Sequence, residues 1–207
     1  MDKWGNKLEG AVYTVAEMAA IGMGLEKDKF TSCLKGGAHL LAPTGSDLAK
    51  NGEGAIFAGF HYDISFLTIH GKSRYPGLFV WLRNNQKLQA KIPDGCLLLQ
   101  SGITFEHMTG GYVHAGFHEV VCTDKTVEAY EKAKSNDKIT WRVSSTLFAN
   151  FRYNVECEPI PEISHLYTPE SARNYPKRTA NDILMTELAA TNMTKYESNV
   201  KYEQYDN

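Results

Sequence analysis

Apolar and polar positions alternate with two different periods along this chain. Over residues 11–30, AVYTVAEMAAIGMGLEKDKF, the apolar positions Val12, Val15, Met18, Ala19 and Met23 recur at helical spacing. The segment reads as an amphipathic helix against an apolar surface, weakened by Gly22 and ended by Gly24. Residues 34–54 give a short candidate strand around residues 39–41 and then a loop rich in Pro, Gly, Asp and Asn. From residue 55 the period shortens. Residues 55–69 read as a strong strand and residues 78–82 as a second, because AIFAGFHYDISFLTIHGKSRYPGLFVW is apolar, aromatic and β-branched apart from its interruption at residues 71–77.

Residues 87–92 predict a third strand, stopped by Pro93-Asp94-Gly95. That turn has a mechanism: proline fixes φ, aspartate accepts from the backbone and glycine tolerates the left-handed region. CLLLQ at residues 96–100 is a fully buried strand candidate, and after ITFEHMTGG a further strand is expected over about residues 113–122. Short strands recurring between glycine-bearing turns favour an all-β sandwich or barrel over alternating β and α units. Residues 123–137 are polar with good helix formers and read as a surface helix or a charged loop inserted between strands. Strand character returns over residues 139–150 and continues or restarts at residues 151–155, before Pro159 and Pro161 close the sheet region. Thr179 with Asp182 resembles a capping box, with Asp in place of Glu, at the start of a helix over about residues 180–190. The polar tail over residues 195–207 is expected to fray.

A chain of 207 residues, 43% hydrophobic, can bury one substantial core. A single domain is expected, with its core at about residues 55–155, a helical and loop lead-in over residues 1–54 and a C-terminal helix and tail over residues 162–207. The formal charge of −2, from 22 basic and 24 acidic residues, gives no bulk attraction to nucleic acid or to an anionic membrane. The first ten residues, MDKWGNKLEG, hold no apolar signal core, and no apolar run approaches membrane-spanning length. Cys33, Cys96, Cys122 and Cys157 are widely spaced, form no CxxC and read as small hydrophobes in a reduced, cytoplasmic compartment. Asn192-Met193-Thr194 fits a glycosylation acceptor pattern, read as accidental without a secretion signal.

Within the first long strand, His61 and Asp63 stand two positions apart, on one face of a regular strand and about 7 Å from each other. An imidazole and a carboxylate presented together make half of a chelate. Packing explains the pair poorly, because a carboxylate in an apolar run costs several kcal/mol unless paired, hydrogen-bonded or metal-bound. His114 and His118 lie four apart on a presumed strand, and either could complete the set; the pattern alone does not choose. His70 would face away from His61 if the strand stayed regular. His39, His107 and His165 read as surface or hydrogen-bonded histidines. Two histidines and one carboxylate with open positions suit non-haem Fe(II), whereas zinc hydrolysis would need a nearby base. Glu119 is the adjacent candidate base, and on a strand it faces away from His118. Arg142 and Ser144 share a strand face, where a guanidinium fork and a hydroxyl can hold a carboxylate; the plainer reading of Arg142 is a solvated strand arginine. Phe60, Phe66, Phe79 and Phe148 are candidates for a substrate pocket or for barrel core.

These residues together resemble the isopenicillin N synthase-like group of Fe(II) and 2-oxoglutarate dependent dioxygenases. HYDISFLT at residues 61–68 resembles the family's H-x-D and the strand after it, and GLFVW at residues 77–81 resembles G-L-Q-V with Phe79 in place of glutamine. IPDG at residues 92–95 and residues 97–102 resemble the P-x-P-G and V-N-x-G-D region, without its aspartate. GYVHAGFHEV at residues 111–120 resembles G-x-x-x-S-x-x-H-R-V, which selects His118 over His114 and puts Glu119 where arginine is usual. Arg142-Val143-Ser144 resembles R-x-S, continued by Phe148 and Asn150. The resemblance covers about residues 12–155, and its strength lies in the ordered occurrence of three motifs that are individually weak.

The resemblance implies a mainly β, double-stranded β-helix (jelly roll) with flanking N-terminal and C-terminal helices. It implies Fe(II) held by His61, Asp63 and His118, and 2-oxoglutarate held at its distal carboxylate by Arg142 and Ser144. With dioxygen, the cosubstrate would yield succinate and carbon dioxide while a small organic substrate is oxidised, most simply hydroxylated. The usual family chain carries a longer N-terminal portion, most of which is absent from this sequence, as in a fragment or a compact member. Two further readings stand beside this one: an iron oxidase that does not use 2-oxoglutarate, and a non-catalytic jelly-roll binding protein with a vestigial metal site.

Overall fold

The computed structural model describes residues 1–191. The polar tail and the Asn192-Met193-Thr194 pattern lie outside the described residues. In chain order the elements are α1 (Asp2–Gly22), α2 (Thr31–Leu34), β1 (Leu40–Asp47), β2 (Ile56–His61), β3 (Leu67–His70), β4 (Leu78–Trp81), β5 (Lys87–Gln89), β6 (Leu98–Ser101), α3 (Ile103–Met108), β7 (His118–Val121), α4 (Asp124–Lys134) and β8 (Trp141–Ala149). They continue with β9 (Glu156–Cys157), a 3-10 turn (Pro161–Leu166), α5 (Pro169–Ala172), β10 (Arg178–Thr179) and α6 (Ala180–Ala190).

Eight strands form two antiparallel four-stranded sheets, ordered β1-β8-β3-β6 and β2-β7-β4-β5. The chain crosses between them at almost every connection, which makes a double-stranded β-helix, or jelly roll, flanked by N-terminal and C-terminal helices. A small β9-β10 pair precedes α6. Period-2 alternation divides the first sheet cleanly. On β8, Leu147 and Ala149 are buried against the helical layer while Arg142, Ser144, Thr146 and Phe148 point into the space between the sheets. On β3, Leu67 and Ile69 join the first set and His70 the second.

Helix α1 covers the outer face of that sheet, touching β3 and β8. It begins earlier than its hydrophobic pattern suggests and buries a different stripe, Leu8, Val12, Ala16 and Ala20, spaced four apart, while Met18 is 64% exposed. With Phe30, Phe66 and Phe105 in mutual ring contact beside it and Phe151 stacked on Phe66, this is the principal core. Gly24 ends the helix as expected: its φ of +77° lets the Leu25 N–H reach Ala20 O at 2.9 Å and its own N–H reach Ile21 O at 3.0 Å, the paired closure of a Schellman turn.

Several expected boundaries move. Residues 55–69 are two strands in opposite sheets, β2 and β3, separated by residues 62–66. The Pro43-Thr44-Gly45 stretch expected to be loop belongs to β1, an edge strand where a proline displaces no ladder bond. The strand expected over residues 113–122 shrinks to β7, and ITFEHM forms α3. Between strands, residues 123–137 hold a true helix, α4, started by a Thr123–Thr126 capping box. Helix α6 starts with the Thr179–Asp182 box and spans the expected residues. All four cysteines are free thiols; Cys122 and Cys157 are buried, but Cys96 is exposed, contrary to its reading as a small buried hydrophobe. No helix among the described residues is long and apolar enough to cross a membrane.

Candidate metal centre

Three ligand-bearing side chains are brought together by different means. His61 closes β2 and His118 opens β7, and the two are direct partners in the antiparallel register. Side chains so paired project from one face of the sheet about 5 Å apart, and the rings stand 4.2 Å apart between centroids. Asp63 is not on a strand, so alternation is not what places it. It lies in the turn after β2, where its carbonyl accepts the Ile103 N–H at 2.9 Å. Gly102 makes that approach possible: a Cβ there would stand 2.0 Å from Ser65 O and 2.8 Å from Asp63 O.

The ligand atoms of His61, Asp63 and His118 all lie within 4.8 Å of one another. Each histidine Nε2 is 3.8 Å from Asp63 Oδ1, too far for a hydrogen bond. The other ring nitrogens are engaged: His61 Nδ1 with Gly59 O at 2.6 Å and His118 Nδ1 with Gly116 O at 3.0 Å. A carbonyl oxygen can only accept, so each Nδ1 carries the proton and each Nε2 turns its lone pair toward the shared gap, the tautomer and orientation a metal requires. Burial lowers the His118 pKa against the opposing pull of Asp63. Asp63 is itself buried, and its Oδ2 has no hydrogen-bond partner. A buried carboxylate with an orphaned oxygen, facing two imidazole lone pairs, fits a divalent first-row cation.

The three ligand atoms open into a cavity of about 590 Å³ between the sheets. Arg142, Ser144, Thr146 and Phe148 form one inward row along its wall. Arg142 is 8% exposed, donates from Nε to Pro76 O at 3.4 Å and makes no ion pair among the described residues. Burial lowers its pKa. A guanidinium remains charged regardless, so the cavity contains a desolvated cation with no carboxylate beside it.

His70, expected to face away from this site, instead lines it. Alternation misplaces it because β3 belongs to the sheet opposite β2. The ring of His70 stands 6.0 Å from that of His118 between centroids, its Nδ1 lies 3.2 Å from Thr146 Oγ1, and its Nε2 is buried without a partner. Burial pushes its pKa down to about 4, so the imidazole is neutral near neutral pH. His114, the alternative to His118, is exposed in the loop before β7. Glu119 faces away from His118, as alternation requires, and pairs with Lys87.

Of the four candidate pocket phenylalanines, only Phe148 lines the cavity. Phe66 belongs to the core under α1, and Phe60 packs with Trp81 and Phe117. Phe79 sits on the outer face of β4 under the Lys87 ammonium. Tyr62, between two of the ligands, is not singled out by its sequence pattern. Its hydroxyl donates to Glu187 Oε2 of α6 at 2.9 Å, and burial followed by the Glu187 charge raises its pKa. The only signal for it is position, inside H-x-D.

No family model matches the chain, and no curated protein matches it. Solved structures do. A Caulobacter crescentus protein assigned to the 2OG-Fe(II) oxygenase family matches with a TM-score of 0.74 and 24% identity over 92% of this chain and 58% of its own. A full-length Neurospora crassa protein, solved in complex with alpha-KG, matches at 0.71 and 23% over 92% of this chain and 56% of its own. A rice dioxygenase for auxin oxidation matches at 0.68 and 17% over 90% and 57%. The fold is therefore the one these oxygenases share, and this chain spans less than three fifths of the length of each.

Proposed function

We propose that the chain is the catalytic barrel of an Fe(II) and 2-oxoglutarate dependent dioxygenase that oxidises a small organic substrate. The observation that carries this reading is the convergence of His61 Nε2, Asp63 Oδ1 and His118 Nε2 across one cavity from the buried, unpaired Arg142. His61, Asp63 and His118 would hold the iron, leaving open positions for cosubstrate and dioxygen. Bound iron supplies the redox chemistry that couples conversion of 2-oxoglutarate to succinate and carbon dioxide with oxidation of the substrate, most simply its hydroxylation.

The chain's own residues bind and orient. The Arg142 fork receives the distal carboxylate of 2-oxoglutarate by charge-assisted hydrogen bonds, and Ser144, on the same inward row, donates another. Pro76 O holds the Arg142 side chain in place and also accepts from Thr126 Oγ1 at 3.3 Å. The carbonyls of Gly59 and Gly116 lock the two imidazoles, so little reorientation is needed when the ion enters. Leu78, Val120 and Phe148 supply apolar wall that limits water near the metal.

Anaerobic titration with Fe(II), with and without 2-oxoglutarate, tests the reading. A visible absorption band that requires both is the expected result. Iron binding that 2-oxoglutarate does not alter would replace it with an oxidase using another carboxylate, and absence of iron binding would leave a non-catalytic jelly roll.

A further inference from the structure

Charge is distributed unevenly around the cavity. Its lining includes five cations, Lys72, Arg74, Lys91, Lys125 and Arg142, and one carboxylate, Asp63, although the chain as a whole has a formal charge of −2. Arg142 lies deep and faces the cosubstrate position, and Lys72 is neutralised by Asp94. Arg74, Lys91 and Lys125 remain. Among the described residues no ion pair or hydrogen bond engages their side-chain nitrogens.

A single unpaired surface cation is ordinary solvation and means nothing. These three come from separate segments: Arg74 from the β3–β4 loop, Lys91 from just after β5 and Lys125 from the first turn of α4. All three are exposed where they line the cavity, and the one acidic residue of the lining, Asp63, is buried among the histidines. A cleft lined by one sign of charge between low-dielectric walls focuses the field and concentrates ligands of the opposite sign. Leu78, Ile92 and Val120, partly buried where the three cations are exposed, give the same cavity apolar wall. A ligand matched to both has a charged end and a hydrocarbon body.

We propose, on the reading given above, that the oxidised substrate is an organic anion. Its carboxylate, sulfonate or phosphate group pairs with Arg74, Lys91 and Lys125 at the mouth, and its apolar body lies on Leu78, Ile92 and Val120 toward the metal. The headgroup chemistries share one recognition mode, and probes of matched shape separate them.

The full chain, loaded with Zn(II) in place of iron and saturated with 2-oxoglutarate, is titrated with phenylacetate, phenyl phosphate and the neutral phenylacetamide, with binding read by calorimetry. At least one anion is expected to bind about fivefold or more tighter than the amide, with the preference shrinking between about 20 mM and about 300 mM salt; the tighter of the two names the headgroup. The Arg74→Gln, Lys91→Gln double variant is expected to remove most of that preference while leaving amide binding and 2-oxoglutarate affinity within about twofold. Anions that bind no better than the amide, or that fail to bind, overturn the proposal. So does a double variant that weakens 2-oxoglutarate alone, because these cations would then serve the cosubstrate. Failure of the dioxygenase reading appears separately, as loss of Zn(II)-dependent 2-oxoglutarate binding before any aryl probe is added.

Discussion

The Tyr62 hydroxyl donates to Glu187 Oε2 at 2.9 Å, across 125 residues of sequence, tying helix α6 to the residue between two of the three ligand side chains. Tyr62 also meets Phe117 edge to face, one residue before His118, so the same ring braces both halves of the candidate site. Tyr62 bonds none of the three candidate ligands, whose rings are held by Gly59 O and Gly116 O, so it acts on them through the intervening backbone, more weakly than the direct outer-shell bonds whose loss costs about tenfold or more. Tyr62→Phe keeps the ring and loses the bond. Its Fe(II) affinity is expected to fall by less than about tenfold under anaerobic titration, with the far-UV spectrum unchanged; Glu187→Gln, which keeps an acceptor, should fall less.

Asp63 has no purpose in the packing, since it is buried with an orphaned oxygen. Asp63→Ala is expected to weaken iron at least about tenfold. The thermal consequence is more diagnostic. Saturating iron stabilises the folded wild type by mass action, by about 2.7 kcal/mol at a hundredfold excess over Kd, and a chelator removes that gain. In Asp63→Ala at the same iron concentration that gain should fall to about 1.4 kcal/mol or less, with a correspondingly smaller shift on chelation, and metal-free Asp63→Ala should melt no lower than metal-free wild type, as an uncompensated buried charge has been removed.

If Arg142 holds the distal carboxylate of 2-oxoglutarate as proposed, Arg142→Ala removes a charge-assisted contact, a loss of about 1.5–3 kcal/mol or roughly 10–100-fold in affinity. The 2-oxoglutarate concentration needed to develop the iron-dependent absorption band should rise by that factor, with iron affinity unchanged. A variant equal to wild type would remove Arg142 from the cosubstrate site.

His107 on α3 is buried, with Nε2 2.8 Å from Pro176 O, and burial pushes its pKa down to about 4 from an ordinary 6.5. As pH falls below about 6.5 the unfolded chain takes up a proton that the folded chain refuses until about pH 4. The unfolded state binds more protons across that window. Stability is therefore full above it and declines as pH falls through it, by about 3 kcal/mol from this group. Urea unfolding at pH 7 and pH 5 should show a steeper acid loss for wild type than for His107→Gln.

Much of the barrel is legible because strands announce themselves locally, by β-branched runs and by turns such as Pro93-Asp94-Gly95. His61, Asp63, His118, Arg142 and Ser144 are legible through ordered motifs, and the structure brings all five to one cavity. Parity across a break is not. Residues 55–69 look continuous in composition, yet the chain changes sheets at residues 62–66, which resets inside and outside and turns His70 into the cavity. The α1 stripe escapes the hydrophobic pattern for a related reason. Ala16 and Ala20 are small enough to let the helix approach the sheet but carry little hydrophobic signal, while Met18 carries much and faces out. The Tyr62–Glu187 bond joins residues whose proximity is wholly tertiary, and nothing local marks it.

Iron-edge anomalous diffraction from crystals grown anaerobically with Fe(II) and 2-oxoglutarate decides whether the three side chains share one ion. The expected map holds one peak within bonding distance of His61 Nε2, Asp63 Oδ1 and His118 Nε2, with the distal carboxylate of 2-oxoglutarate on Arg142. A peak elsewhere, or 2-oxoglutarate bound away from Arg142, would refute the site.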